Sequence, residues 1–368
     1  MALNILNSLK DLPKSLQIIG GINYGSLAIG VVISIIVMLG VLRLKGKDNE
    51  WLYEDRLFLR VAVLTLIMDV LRVVIIWTVP TSMFYTLVSF AYFIPDIVFV
   101  IFALSWLIFL DYLANKSMHR VKRFIRFSLA PILLMSAWIF VVIHVQNTPG
   151  LETKYFGSTY FIYKIIRTVI VTAYMIVGYR IISDFHRRRM EPLFMRLDFF
   201  IVPWILGMIF VYGLNLGTNT FFASIALLIT YLAYKQRCKF VYRGTDAFQE
   251  SFAPHFATYV EKLKLQGECA FLINAHGARD AFTEVLDQCR PEKSFLIQRD
   301  DGTYMLYTMA KRKAVLELLE QTFKDTGTAH VPPVSLTISH HIKDKAESSR
   351  EFITRVISAR KKALSEQI

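Results

Sequence analysis

Seven apolar stretches fill the first two-thirds of this chain, and the arginines and lysines between them gather in every second loop. The stretches run over 22–42, 57–79, 83–110, 128–146, 158–183, 197–215 and 219–234. A hydrocarbon core about 30 Å thick needs about 20 helical residues to cross it, so these are read as spans. Arg43, Lys45, Lys47 and Arg56 separate the first two, and Lys116, Arg120, Lys122, Arg123 and Arg126 the third and fourth. Arg187, Arg188, Arg189 and Arg196 separate the fifth and sixth, and Lys235, Arg237, Lys239 and Arg243 follow the seventh. In the alternate loops, 80–82, 146–157 and 215–217, the one basic residue is Lys154. Basic loops stay cytoplasmic, so the pattern predicts an α-helical polytopic membrane protein of seven transmembrane helices, N-terminus out and C-terminus in, at the cell membrane.

That pattern also accounts for the charge. The 368 residues carry a formal net charge of +13. Residues 1–243 hold 25 Lys/Arg against 12 Asp/Glu, whereas residues 244–368 hold 17 of each. The basicity is topological, suits contact with anionic membrane lipid, and gives no reason to expect nucleic acid as a partner. Cys238, Cys269 and Cys289 all follow the last span, on the reducing side of the inferred topology, and their spacing fits no zinc pattern. No metal site and no cofactor is expected. Residues 1–21, with Leu3, Ile5, Leu6, Leu9 and Leu12 beside Lys10 and Lys14, read as an extracytoplasmic interfacial segment without a cleavable signal.

The seven-helix domain is assigned to residues 22–243 and a cytosolic domain to 244–368. In the second, helical spacing over 251–265, 278–289, 311–323 and 348–365 alternates with strand-like runs at 269–274, 294–298, 304–309 and 334–342. Asp301-Gly302 between the two middle strands signals a hairpin. The order α-β-α-β-β-α-β-α predicts a small α/β domain with one mostly antiparallel sheet covered by helices.

This order resembles the GGDEF domain of diguanylate cyclases. Residues 294–307 (SFLIQRDDGTYMLY) are similar to the strand, arginine and hairpin that carry the family's signature turn. Residues 310–323 are similar to its next helix, 334–340 (VSLTISH) to its "TVSIG" strand, and Ala359-Arg360-Lys361-Lys362 to its closing helix. Thr245-Asp246 stands where the family's opening "TD" motif begins.

The resemblance implies a bacterial inner-membrane signalling protein, but the catalytic positions depart from the family's pattern. The turn is Arg299-Asp300-Asp301-Gly302-Thr303-Tyr304, so the family's acidic pair becomes Gly302-Thr303 or Thr303-Tyr304 according to register. Its metal-binding aspartate at the end of the first strand matches Asn274, and two-metal phosphoryl transfer without carboxylates is not credible. A degenerate, non-catalytic domain is therefore expected. Asp300 and Asp301 suit a turn better than a metal, and His340 and His341 point to opposite faces of their strand.

Ionisable residues within spans are costly and face the bundle interior. Asp69 and Arg72 lie three apart on the second helix, Asp96 follows Pro95 on the third, and Lys164 and Arg167 lie three apart on the fifth. Two readings stand side by side. In one, Asp69 and Asp96 pair with the cations and fix helix packing. In the other, Arg72, Lys164 and Arg167, with Tyr92 and Tyr163, line an outward-facing pocket for an anionic small molecule. Neither Pro95 and Pro203 nor the glycines Gly207, Gly213 and Gly217 make a convincing pair of broken helices, and the glycines favour close packing.

Together these features predict a membrane receptor-like protein that relays an external or membrane-borne signal to the degenerate domain. Its expected partners are a cytosolic protein and, by analogy with the family, a second copy of the chain joined through the last helix. A transporter or channel with a regulatory cytosolic cap is the alternative.

Overall fold

The structure, a computed structural model, describes residues 14–44, 51–78, 85–148, 150–189, 191–213, 219–242 and 247–253, the strands 269–276, 294–298, 303–308 and 335–342, and single positions among 255–258, 291, 313–317, 351 and 355. The chain packs as two compact units. The first holds residues 1–183 and 197–233, and the second holds 184–196 and 234–368.

Between residues 14 and 240 lie α1 (Lys14–Leu42), α2 (Tyr53–Thr78), α3 (Tyr85–Asn115), α4 (Met118–Asn147), α5 (Leu151–Arg189), α6 (Ile201–Gly213) and α7 (Asn219–Phe240). Every expected apolar stretch is helical over most of its length, and most helices run on into polar flanks. Hydropathy marks where a helix meets lipid, whereas its backbone hydrogen bonds continue until a cap or turn ends them. Thus α4 starts ten residues before its apolar stretch, where the Ser117 hydroxyl accepts from Arg120 N. The turn before it passes through Lys116 at φ 51°.

Among the described residues, four helical segments are long and apolar enough to cross a membrane: Gly25–Leu42, Phe93–Asn115, Met118–Asn147 and Lys154–Arg189. The stretch expected over 197–215 is realised differently. A 3-10 turn, Leu197–Phe200, leads into the 13-residue α6, which is shorter than the about 20 residues a span requires. Pro203 sits in the first turn of α6, where its missing N–H has no helical partner to lose. At the N-terminus, Lys14–Leu42 is one helix, so the boundary expected after residue 21 is not a break. Residues 1–13 lie outside the described residues.

Burial in the first unit follows the logic of a lipid solvent. On α1, Leu27, Ser34, Val37 and Val41 are buried while Ile29, Val32, Ile36 and Leu39 are exposed. On α4 the buried stripe is Val121, Ser128, Met135, Ile139 and Val142, with Phe127, Leu129, Leu133, Leu134 and Phe140 outside. Large aliphatic residues cover the outside, and Ser34, Thr65, Asp69, Asp96, Arg167 and Ser224 lie inside. Water would favour the reverse arrangement. The helix α3 is central: 72% of its apolar window is buried, against 28%, 33% and 28% in the other three. Its Phe99 stacks on Trp204, its Trp106 meets Phe200 and, edge-to-face, Phe102 of the same helix, and Leu107 and Leu110 lie against Gly178 of α5.

In the second unit, β1 (Phe248–Gln249), β2 (Cys269–His276), β3 (Ser294–Gln298), β4 (Thr303–Thr308) and β5 (Ser335–Ile342) form one sheet in the order β1-β3-β4-β2-β5. The four long strands match the expected runs to within two residues and pair antiparallel. The short β1 pairs parallel with β3, so the sheet is mixed rather than purely antiparallel. Nothing in the apolar periodicity marks a two-residue strand. A bridge from Val241 to Phe248, with Tyr242 N donating to Ala247 O, carries the chain from α7 into β1.

The core of this unit gathers Met195, Phe240, Val241, Phe248, Phe252, Phe256, Phe295, Ile297, Met305 and Tyr307. Residues 234–243, assigned from sequence to the membrane domain, therefore fall largely within the second unit. Phe240 is the reason: its ring meets that of Phe252 with centroids 5.5 Å apart. The helices expected over 278–289 and most of 251–265, 311–323 and 348–365 lie outside the described residues.

Candidate functional site

The first unit encloses two polar clusters, and α2 contributes to both. Residues three apart on a helix differ by about 60° in direction. That divergence turns Arg72 toward α3 and Asp69 toward α1 and α7.

In the first cluster, Asp96 of α3 is 4% exposed and carries three contacts. Arg72 Nη2 and Arg167 Nη1 each lie 2.6 Å from Asp96 Oδ1, and the Tyr163 hydroxyl donates to Oδ2 at 3.0 Å. Tyr163 and Arg167 stand one turn apart on α5, which is why both reach one carboxylate. Phe93 closes the site edge-to-face on Tyr163. Lys164 is not part of the contact set; its Nζ lies 4.8 Å from the centroid of the Tyr160 ring, which itself stacks on Tyr163. Tyr92 lies on α3 with its side chain outside the described residues. Among the described residues the Arg72–Asp96–Arg167 contacts sum to one positive charge, because two guanidinium groups share one carboxylate. Its open side is at Arg72, whose side chain is 26% exposed against 5% for Asp96.

In the second cluster, Asp69 takes hydroxyl partners rather than a cation. Ser34 of α1 and Ser224 of α7 both donate to Asp69 Oδ2, at 2.9 and 3.0 Å. Among the described residues no Lys, Arg or His stands within ion-pair distance of Asp69. The charge pairing expected of both aspartates is thus realised at Asp96, while Asp69 bridges three helices through hydroxyls.

The second unit has a polar cluster of its own. Glu191, 5% exposed, receives His186 Nδ1 at 2.6 Å on one oxygen and Arg237 on the other. The Arg237 guanidinium also covers the Phe185 ring, 5.0 Å from its centroid. This ties residues at the end of α5 to residues at the end of α7. From the sequence Arg237 counts only as one of the basic residues after the seventh stretch, and none of the three is read as part of a site. The available signal was Glu191 itself, an acid set just after four basic residues at 186–189.

In the sheet, register pairs Asn274 of β2 with Thr303 of β4 on one side and Thr337 of β5 on the other. Tyr304 is fully buried. Arg299, Asp300, Asp301 and Gly302 of the hairpin turn lie outside the described residues.

Comparison with known proteins adds no name to this geometry: no protein-family model matches the chain, and no curated protein shows significant similarity to it.

Proposed function

We propose that this protein is a membrane receptor whose helical unit senses an anionic small molecule and whose C-terminal unit, a non-catalytic GGDEF-like domain in the cytosol, carries the response to a protein partner. One observation carries the sensing half: the buried Arg72–Asp96–Arg167–Tyr163 cluster, with its summed positive charge and its half-open arginine. A carboxylate or phosphate arriving at Arg72 would meet a guanidinium fork already oriented by Asp96, with Lys164 on the same stretch of α5 as Arg167. The relay half is supported by chain continuity. The helices α5 and α7 contribute Arg167 and Ser224 to the interior clusters, and the last turns of both belong to the second unit.

The non-catalytic reading is supported by strand register. In the cyclase family a metal aspartate at the end of one strand and acids of the hairpin turn share metal ions, so they must be adjacent. In this sheet the corresponding neighbours are Asn274 and Thr303, an amide and a hydroxyl. Tyr304, the other residue the turn offers, is packed into the core.

Thermal unfolding of the full-length protein in detergent, across a panel of dicarboxylates and organic phosphates, tests the sensing half. A stabilising ligand is expected, with the shift lost in Arg72→Ala and Arg167→Ala. Uptake of such a solute into proteoliposomes, abolished by Asp96→Asn, would instead favour a transporter. Formation of a cyclic dinucleotide by the full chain with GTP and Mg²⁺ would overturn the non-catalytic assignment.

A further inference from the structure

Asp69 presents an electrostatic problem that the receptor reading does not address. Its residue is fully buried, as are Ser34 and Ser224, and Thr220 is nearly so. Ser34 Oγ and Ser224 Oγ, 3.2 Å apart, both face Asp69 Oδ2, and Ser224 Oγ also lies 3.1 Å from Thr220 O. The Thr220 side chain adjoins the same carboxyl. Each serine has one proton to give. If Ser34 spends its proton on Oδ2, Ser224 must choose between Oδ2 and the carbonyl. Asp69 Oδ1 accepts no hydrogen bond among the described residues. The nearest cation along the helix, Arg72, is committed to Asp96. An ionised carboxylate in this position is a buried anion held by the hydroxyls of Ser34, Ser224 and Thr220 but by no counter-charge among the described residues, and such groups are disfavoured.

We propose that Asp69, Ser34, Ser224 and Thr220 form a binding site for a dehydrated monovalent cation of sodium's size. The oxygen set is hard: two carboxylate oxygens, hydroxyls and one backbone carbonyl, the donors that alkali and alkaline-earth ions prefer. One carboxylate balances one positive charge, which suits a monovalent ion over a divalent one. The single charge selects a monovalent ion, and the distance the oxygens must spread ranks sodium over potassium. Sodium has nearly calcium's radius and takes oxygens at about 2.4 Å, which places neighbouring oxygens of an octahedral shell about 3.4 Å apart. The 2.9–3.2 Å contacts around Asp69 and Ser34 need little expansion to meet that shell and far more to admit potassium.

Room for the ion lies on the α1 side. A Cβ added at Gly30 would sit 3.6 Å from both carboxylate oxygens and 3.4 Å from Ser224 Oγ. Glycine thus leaves a methyl-sized space beside the oxygen cluster.

This proposal is independent of the anion reading, since the two clusters share no residue. It is tested on the purified full-length protein in detergent by following the unfolding midpoint in NaCl, KCl and choline chloride at constant ionic strength. Sodium is expected to raise the midpoint by about 3 °C for each tenfold increase above its dissociation constant, with a smaller effect of potassium and none of choline. Asp69→Asn should abolish the response. Gly30→Ala, whose methyl group meets its neighbours at ordinary van der Waals distance, should fold and lose the response by filling the seat; it keeps the test valid if Asp69→Asn fails to fold. Equal midpoints in the three salts, a sodium response retained in both variants, or stabilisation by acid with no sodium response would overturn the site.

Discussion

Asp96 holds two arginines on one oxygen and a tyrosine on the other, so its charge organises three helices at once. Removing that charge leaves two guanidinium groups facing each other in a buried site. Asp96→Asn should therefore destabilise the protein by about 3–5 kcal/mol, the cost of breaking a buried ion pair from one side. Adding Arg167→Gln should recover part of that loss, measured as a double-mutant cycle by denaturant or thermal unfolding in detergent. Glu191→Gln should be costly in the same way for the second unit, because it removes the charge that both His186 and Arg237 pair with. The ionisable members of the first cluster were legible in the sequence: a charge within an apolar stretch announces that it needs a partner. Which partner was not legible, since Asp69 and Arg72 sit three apart yet face different helices. The serines beside Asp69 were silent for another reason. A hydroxyl in a helix can satisfy itself on the carbonyl four residues back, an option open to Ser224 at Thr220 O, so a serine in an apolar stretch carries no signal of its neighbours.

At the scale of elements, helix approach depends on glycine at two places. A Cβ at Gly207 of α6 would lie 2.8 Å from Phe222 Cβ on α7, an atom fixed by the backbone. A Cβ at Gly40 of α1 would meet the phenol end of Tyr231 at 2.3 Å, and that end can swing away. Gly207→Ala should thus destabilise the bundle by about 1–3 kcal/mol, and more than Gly40→Ala, as measured by thermal unfolding. The sequence reading that Gly207 serves packing rather than a hinge accords with this contact. Helix positions were legible from hydropathy; helix ends were not, because polar turns such as 184–189 of α5 extend the helix beyond the apolar stretch without changing its hydrogen bonding. The four long strands were legible from short apolar runs and the Asp-Gly turn, whereas β1 is too short to form such a run.

For the molecule as a whole, the alternating basic loops remain the basis of the proposed orientation. With Cys238, Cys269 and Cys289 replaced by serine, a cysteine at Lys154 should react with an impermeant maleimide in intact cells, and one at Arg188 only after permeabilisation. Both positions are exposed, at opposite ends of α5. The division into units was only partly legible, since charge balance changes at residue 243 but packing changes at 233–234, where aromatic residues at the end of α7 join the core of the sheet. In the proposed receptor, the interior charge cluster reports to that second unit. Hydrogen exchange of the full-length protein under native conditions tests it most directly, comparing the wild type with Arg167→Ala and with Phe161→Ala, an exposed position on the same helix. Arg167→Ala is expected to change amide exchange over 184–196 and 234–256 by about threefold or more, the effect of a coupling of about 0.7 kcal/mol, while Phe161→Ala leaves those segments unchanged. Exchange altered only within α2, α3 and the first half of α5 would rule the relay out.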